Sequence, residues 1–313
     1  MSGFYVNRLK SPRAKTFAKE LEKRMSSPTA DENMNSVFLF PNCKSRDLNE
    51  VLSAGYAVLR DNPAFFYYRI SLDASFDGSN VKLVAPLLYS PEEIAVLRRQ
   101  LEAKIDSIIK AIPVNSSLWE KERYIFEYMQ THTKYTKDNA KERYNVIGCL
   151  LYHQAVCEGI SKSFAMLCHR VGIPCIVAFS KSHMWNIVNI NGNLANVDAT
   201  YGTSKPHSIC NYTYFNTADA DLDDDTYKKE LNCIPVCTDI SNSFYYRTNS
   251  YFFNERELKN YVVRSLLTKK VPIQVKLHNG SIAKAMKTVS SAVPCRFTYS
   301  YNEEANTALI TLK

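Results

Sequence analysis

The chain has 313 residues, enough for more than one hydrophobic core, and its 45% apolar content is that of a globular protein. The net charge of +8 is spread along the chain, with no Lys/Arg block interleaved with aromatics, so no nucleic-acid partner is expected. No apolar leader, no membrane-length run and nine irregularly spaced cysteines lead to the expectation of a cytoplasmic protein without a membrane role, although an exported protein with its leader trimmed would read the same way.

Residues 5–25 carry a helical pattern, and residues 26–36 form a polar linker. Val37-Phe38-Leu39-Phe40 is strand-like, and Ser45-Arg46-Asp47-Leu48 opens a helix that Asp61-Asn62-Pro63 ends. Phe65-Phe66-Tyr67-Tyr68 is expected to begin a strand, turned back at Asp77-Gly78 into Val81-Lys82-Leu83-Val84. Ser90-Pro91-Glu92-Glu93 starts a helix with Pro at N1, and Trp119 to Thr131 forms another. Beyond about 248 the pattern is β-α-β-α-β-β, expected to be a small unit of ferredoxin-like kind with Asn302 to Asn306 as its hairpin loop. The expected organisation is α+β: an N-terminal α/β region (1–112), a core (113–246) and a small C-terminal domain (247–313).

Chemistry concentrates in the middle segment. After Cys157, the apolar residues Ile160, Phe164, Leu167, Cys168 and Val171 mark one helix face, and Gly172-Ile173-Pro174 stops it. Cys157 therefore sits at the first turn, where free N–H groups and the macrodipole favour a thiolate and could hold an oxyanion. Cys149, Cys168 and Cys175 read as core residues, since free cysteine is commonly buried.

Asn191-Gly192 between two strand-like runs is a hairpin signal. A two-residue turn pairs Ile190 with Asn193 and sets Trp185 opposite Asp198 and His183 opposite Thr200. His183 and Asp198 then share a face as diagonal neighbours, within reach of a His–carboxylate bond. A three-residue turn would send Asp198 to the other face.

At Val156-Cys157-Glu158-Gly159, Gly172-Ile173-Pro174-Cys175, His183-Met184-Trp185-Asn186 and Val197-Asp198-Ala199-Thr200 the chain resembles the transglutaminase-like superfamily, in particular its bacterial transglutaminase-like domain proteins. The likeness covers about 120–215, with a weaker echo at Asp61 to Phe66. It implies a papain-like core and a catalytic Cys157, His183 and Asp198. Tyr135 is the oxyanion candidate, and Glu158, Gly159 and Trp185 are substrate-binding candidates. Ile160, Met184, Leu194 and Ala195 depart from the family pattern and bear on substrate preference.

The sequence thus points to a cysteine-dependent acyl-transfer enzyme acting on a peptide or protein carboxamide, by hydrolysis, without metal or organic cofactor. Two alternatives stay open: a transglutaminase using an amine acceptor, and a silent peptide-binding module. The cysteines lack zinc-finger spacing, and the acidic run Asp219, Asp221, Asp223, Asp224, Asp225 lacks the glycine and closing glutamate of a calcium loop.

Overall fold

The computed structural model describes residues 3–203 and 209–312. The N-terminal helical pattern is two helices, α1 (Phe4–Asn7) and α2 (Pro12–Met25). Ser11 and Pro12 divide it: Ser11 Oγ accepts from the Ala14 N–H at 3.1 Å, and Pro12 takes N1, where no N–H is needed. Strand β1 (Asn35–Phe40), α3 (Asp47–Asp61), β2 (Asp73–Phe76) and β3 (Val81–Pro86) follow, the strands forming an antiparallel sheet in the order β1-β3-β2.

Phe65 to Tyr68 is a turn-rich segment rather than a strand, with a single bridge between Tyr68 and Leu87. Its aromatics act as a plug. Phe66, Tyr67 and Tyr68 are buried, and both tyrosine hydroxyls donate to the Met25 carbonyl, at 3.0 and 3.4 Å. Burial of large side chains, not ladder pairing, explains this β-favouring composition.

Helices α4 (Pro91–Lys110) and α5 (Leu118–His132) each begin with a capping box, Ser90 with Glu93 and Ser117 with Glu120. Next come β4 (Lys134–Tyr135), α6 (Val146–Leu150), β5 (Gln154–Ala155) and α7 (Cys157–Arg170). Strands β6 (Cys175–Phe179), β7 (Met184–Ile190), β8 (Asn193–Val197) and β9 (Phe215–Thr217) form an antiparallel sheet in sequential order. One hydrophobic cluster runs from Phe17 through α4, α5 and α7 to Phe215, so the first sheet and the α7 layer share a core. A second cluster, with Tyr5, Ile176, Trp185, Ile187 and Tyr227, covers the other face of the β6–β9 sheet.

The chain continues through α8 (Asp224–Tyr227), α9 (Phe244–Arg247), β10 (Tyr251–Phe252), α10 (Glu255–Leu267), β11 (Ile273–Leu277), α11 (Ile282–Ala292), β12 (Phe297–Asn302) and β13 (Thr307–Leu312). The last four strands form one sheet in the order β10-β11-β13-β12 over their own apolar core. This corrects the ferredoxin-like expectation, whose chain order is β-α-β-β-α-β. Here α10 makes a crossover that leaves β10 and β11 parallel, and two consecutive strands close the sheet as a hairpin. The sheet is fastened to the preceding segment by Gln274, which accepts from the Tyr212 N–H at 3.1 Å and donates to the Cys210 carbonyl at 2.7 Å. No described helix is long and apolar enough to cross a membrane.

One core acid stands apart. Glu122 on α5 is wholly buried; one of its oxygens accepts from Asn216 Nδ2 at 2.8 Å and the other has no partner among the described residues. Burial pushes its carboxyl up to about 8, against the opposing Asn216 bond. The folded chain keeps a proton that the unfolded chain releases above about 4.5, so this group lowers stability as pH rises from about 4.5 to about 8. Glu122→Gln keeps the acceptor and cannot ionise. It is expected to stabilise the fold by on the order of 2 kcal/mol at pH 8 and by little at pH 4, as read from thermal melts at the two pH values.

Candidate active site

Cys157 is the first residue of α7, and the N-cap, Val156, offers no side-chain acceptor, so the N–H groups of the first turn have no capping partner. Of the nine free cysteines, Cys43, Cys149, Cys168, Cys175 and Cys237 are buried, whereas Cys157 is partly exposed. The glycine two residues on has a packing reason. A Cβ on Gly159 would lie 2.6 Å from the Arg143 carbonyl oxygen and 2.9 Å from that of Asn145, so only glycine lets α7 approach this segment. The approach is held by the Val156 N–H, which donates to the Arg143 carbonyl at 3.0 Å.

His183 directly precedes β7. The pairing of β7 with β8 runs from Asn186–Val197 to Ile190–Asn193 around Asn191 and Gly192, the register of a two-residue turn. Both turn residues have positive φ, 55° and 95°, as a tight hairpin of this hand requires. His183 Nε2 and Asp198 Oδ2 are 2.8 Å apart. The imidazole is largely buried; burial alone would lower its pKa. The bonds and charges of Asp198 and Cys157 together outweigh it and raise the imidazole to about 10. Asp198 is buried, which would raise its carboxyl, but His183 and its other donors bring it below the usual range. The two shifts agree in describing an ion pair.

Two further groups donate to Asp198. Tyr227 Oη lies 2.7 Å from Oδ2 and the Thr200 N–H 2.8 Å from Oδ1. Tyr227 also stands edge-on to the His183 ring, at 5.3 Å between centroids, and to Trp185 at 5.1 Å. Trp185 lies parallel to His183 at 6.2 Å, and its indole N–H donates to Asn196 Oδ1 at 3.0 Å. Asn186 ties the strand to the helix: its Nδ2 donates to the Ser161 carbonyl at 3.0 Å and the Ile176 carbonyl at 3.2 Å. That buried amide fixes β7 against the turn of α7 that follows Cys157.

A cavity of about 620 Å³ opens on this group, lined by Tyr135, His183, Asp198, Tyr214, Tyr227 and, from the C-terminal sheet, Asn302, with further residues at its rim. Tyr135 reaches it because β4 pairs with β5 and sets Tyr135 beside Ala155, two residues before Cys157. Burial raises the Tyr135 phenol, followed by the charges of Cys157, Tyr144 and Asp198.

Of the residues expected to contact substrate, Trp185 is only 1% exposed and Gly159 is packed against backbone. Trp185 lies parallel to the imidazole, and Gly159 seats the helix. Glu158 is half-buried and paired with Lys162 one turn on, at 2.6 Å. Tyr227, Asn186 and Thr200 were not singled out by sequence reasoning. Asn186 lay within the H-x-W-N motif, but Tyr227 had no signal beyond its place in an acidic stretch. That stretch is otherwise occupied: Asp219 pairs with Lys229, Asp221 with Lys276, and Asp223 caps α8. Among the described residues no three His, Cys, Asp or Glu side chains gather as a metal site.

These elements define an α+β protein in which a helix-start thiol, an imidazole and a carboxylate come from α7 and the β7–β8 hairpin. Residues 107–199 match the family model of the transglutaminase-like superfamily, and this part of the chain is a domain of that superfamily. Among solved structures, one similar chain is a TGase, 13% identical, covering 63% of this chain and 60% of its own, with a TM-score of 0.32. Another is a candidate cysteine protease from Cytophaga hutchinsonii, 12% identical, covering 42% of this chain and 61% of its own, with a TM-score of 0.28. The chain thus spans about 60% of the length of these relatives. No curated protein matches.

The pair makes stability depend on pH. A histidine held charged to about 10 contributes fully below about 6.5 and loses that contribution as pH rises through about 10. The Tm gap between wild type and Asp198→Asn is therefore expected to be wide at pH 6 and to narrow toward pH 10. Tyr227→Phe removes one of three donors to a buried carboxylate and is expected to cost about 1–2 kcal/mol in a chemical denaturation series at pH 7.

Proposed function

We propose that this protein is a cysteine-dependent acyl-transfer enzyme that hydrolyses a peptide or carboxamide bond. The observation that carries the reading is the 2.8 Å contact between His183 Nε2 and Asp198. With Nε2 committed to the carboxylate, Nδ1 is the ring nitrogen left for the Cys157 sulfur. An imidazole held protonated past neutral pH suits a resting thiolate–imidazolium pair.

In this reading the Cys157 sulfur attacks the carbonyl carbon. Its electron pair forms the C–S bond while the carbonyl oxygen takes the negative charge. The free N–H groups at the start of α7 receive that oxyanion, with the Tyr135 hydroxyl as the side-chain donor. His183 gives its proton to the leaving nitrogen, the C–N bond breaks, and a thioester remains. Water then adds with His183 taking its proton, and the C–S bond breaks to release the acid and return the thiolate beside the imidazolium. Asp198, held by Tyr227 and the Thr200 N–H, keeps the ring oriented through both halves.

One observation favours an amine over water in the second half. The described cavity lining carries Asp223 and Glu304 but no lysine or arginine, which would attract a cationic amine. Both versions are read in one experiment: a peptide library incubated with and without a fluorescent primary amine, using wild type and Cys157→Ala. Cleavage or deamidation by wild type alone supports hydrolysis, and amine incorporation supports transamidation. Unchanged peptides in both proteins would leave only a binding module. Asp198→Asn is expected to reduce kcat/KM roughly a thousandfold with the fold retained. Alkylation of Cys157 by iodoacetamide at pH 7 is expected to be markedly slower in His183→Ala than in wild type; equal rates would contradict the pairing of the sulfur with the imidazole.

A further inference from the structure

We propose that the free edge of β12 is a docking strand for an extended segment of the peptide substrate, which pairs with it and is led into the cleft at Asn302. The proposal rests on the peptide-acting reading above and adds the means by which the substrate chain is recognised.

Exposed strand edges invite pairing with other chains, and natural proteins guard them with charge, proline, bulges, cover or brevity. Four of the other described edges are guarded. On β6 the Tyr5 hydroxyl donates to the Val177 carbonyl at 2.5 Å, and on β1 Arg24 donates to the Leu39 carbonyl at 3.0 Å. Strand β2 is four residues long and begins with Asp73, and β10 has only two residues. Strand β12 has none of these devices. It is six residues long, Phe-Thr-Tyr-Ser-Tyr-Asn, without charge or proline, and its register with β13 is unbroken from Phe297–Leu312 to Asn302–Thr307.

Its two faces differ. Tyr299 lies opposite Ile310 and Tyr301 opposite Ala308, so Phe297, Tyr299 and Tyr301 share a face and form an aromatic shelf. Neighbouring rings along the shelf are 5.9 and 6.2 Å apart, and Tyr299 and Tyr301 are 38% and 46% exposed. Thr298 and Ser300 make a small hydroxyl surface on the other face. A strand added here would gain main-chain hydrogen bonds from the edge and place every second side chain on the aromatic shelf. That selects an unfolded or extended peptide with apolar or aromatic residues at alternate positions.

The edge also leads to the chemistry. Asn302, the last residue of β12, donates to the hydroxyls of Tyr201 and Tyr214 at 3.3 and 3.2 Å, and it lines the same cavity as His183 and Asp198. Glu304, just beyond it, is on that wall too.

The test is binding rather than turnover, so it is decided separately from the catalytic reading. Fluorescein-labelled β-casein, an unfolded chain, is titrated by anisotropy against the full-length Cys157→Ala protein. Adding Tyr299→Lys and Tyr301→Lys, which guard the edge with charge, is expected to weaken binding at least tenfold with Tm unchanged; Phe253→Lys near the opposite edge should have no effect. Equal affinity in all three proteins, or no binding of β-casein by Cys157→Ala, overturns the proposal. So does a wild-type dimer in sedimentation that the two tyrosine substitutions dissociate, because the edge would then be covered by a second copy.

Discussion

Left-handed backbone at Asn191 and Gly192 determines which way every side chain of β7 and β8 points. With those two residues as the whole turn, Asn186 faces Val197 and the pairing extends so that His183 and Asp198 meet on one side of the ribbon. One residue more in the turn would rotate the Asp198 carboxylate to the far side and strand the imidazole. The same register puts Trp185 on Asn196 and aligns its ring under the imidazole. The ion pair, its aromatic support and the access of the ring to α7 all descend from a turn that lies at the other end of the ribbon from His183 and Asp198.

The carboxylate is then held in a way that resists rearrangement. It takes a hydroxyl donor from the end of α8, a backbone donor from its own turn and a charged donor from the residue that leads into β7. Three donors on a buried carboxylate make its ionised form the favoured one in spite of desolvation, and that charge is what keeps the imidazole protonated. The helix is seated with equal economy: Gly159 permits close backbone contact on one side, and Asn186 bonds the helix to the sheet on the other.

What could be read from sequence was local. The hairpin register followed from Asn-Gly and from alternation, and the helix start followed from the apolar period behind Cys157 and its Gly-Ile-Pro stop. The helical period over 5–25 concealed the break at Ser11 and Pro12, where α2 begins. Phe65 to Tyr68 misled because β-favouring side chains in a plug and in a strand have the same composition. Tyr227 could not be found, since a contact 29 residues from Asp198, made from a one-turn helix, has no periodicity to betray it. The strand order of the C-terminal sheet was hidden for a similar reason: the succession of elements was visible, but which edge a crossover chooses depends on packing between distant segments.

Asn302 and Glu304, which wall the cavity, stand near the end of a 313-residue chain, whereas Cys157 lies at its midpoint. During synthesis from the N-terminus Cys157, His183 and Asp198 leave the ribosome long before the hairpin that walls one side of the cavity at His183 and Asp198. The molecule therefore acquires the thiol and the ion pair early and this wall last, so a nascent chain carries them through a stage when the β12–β13 hairpin does not yet limit what approaches from that side.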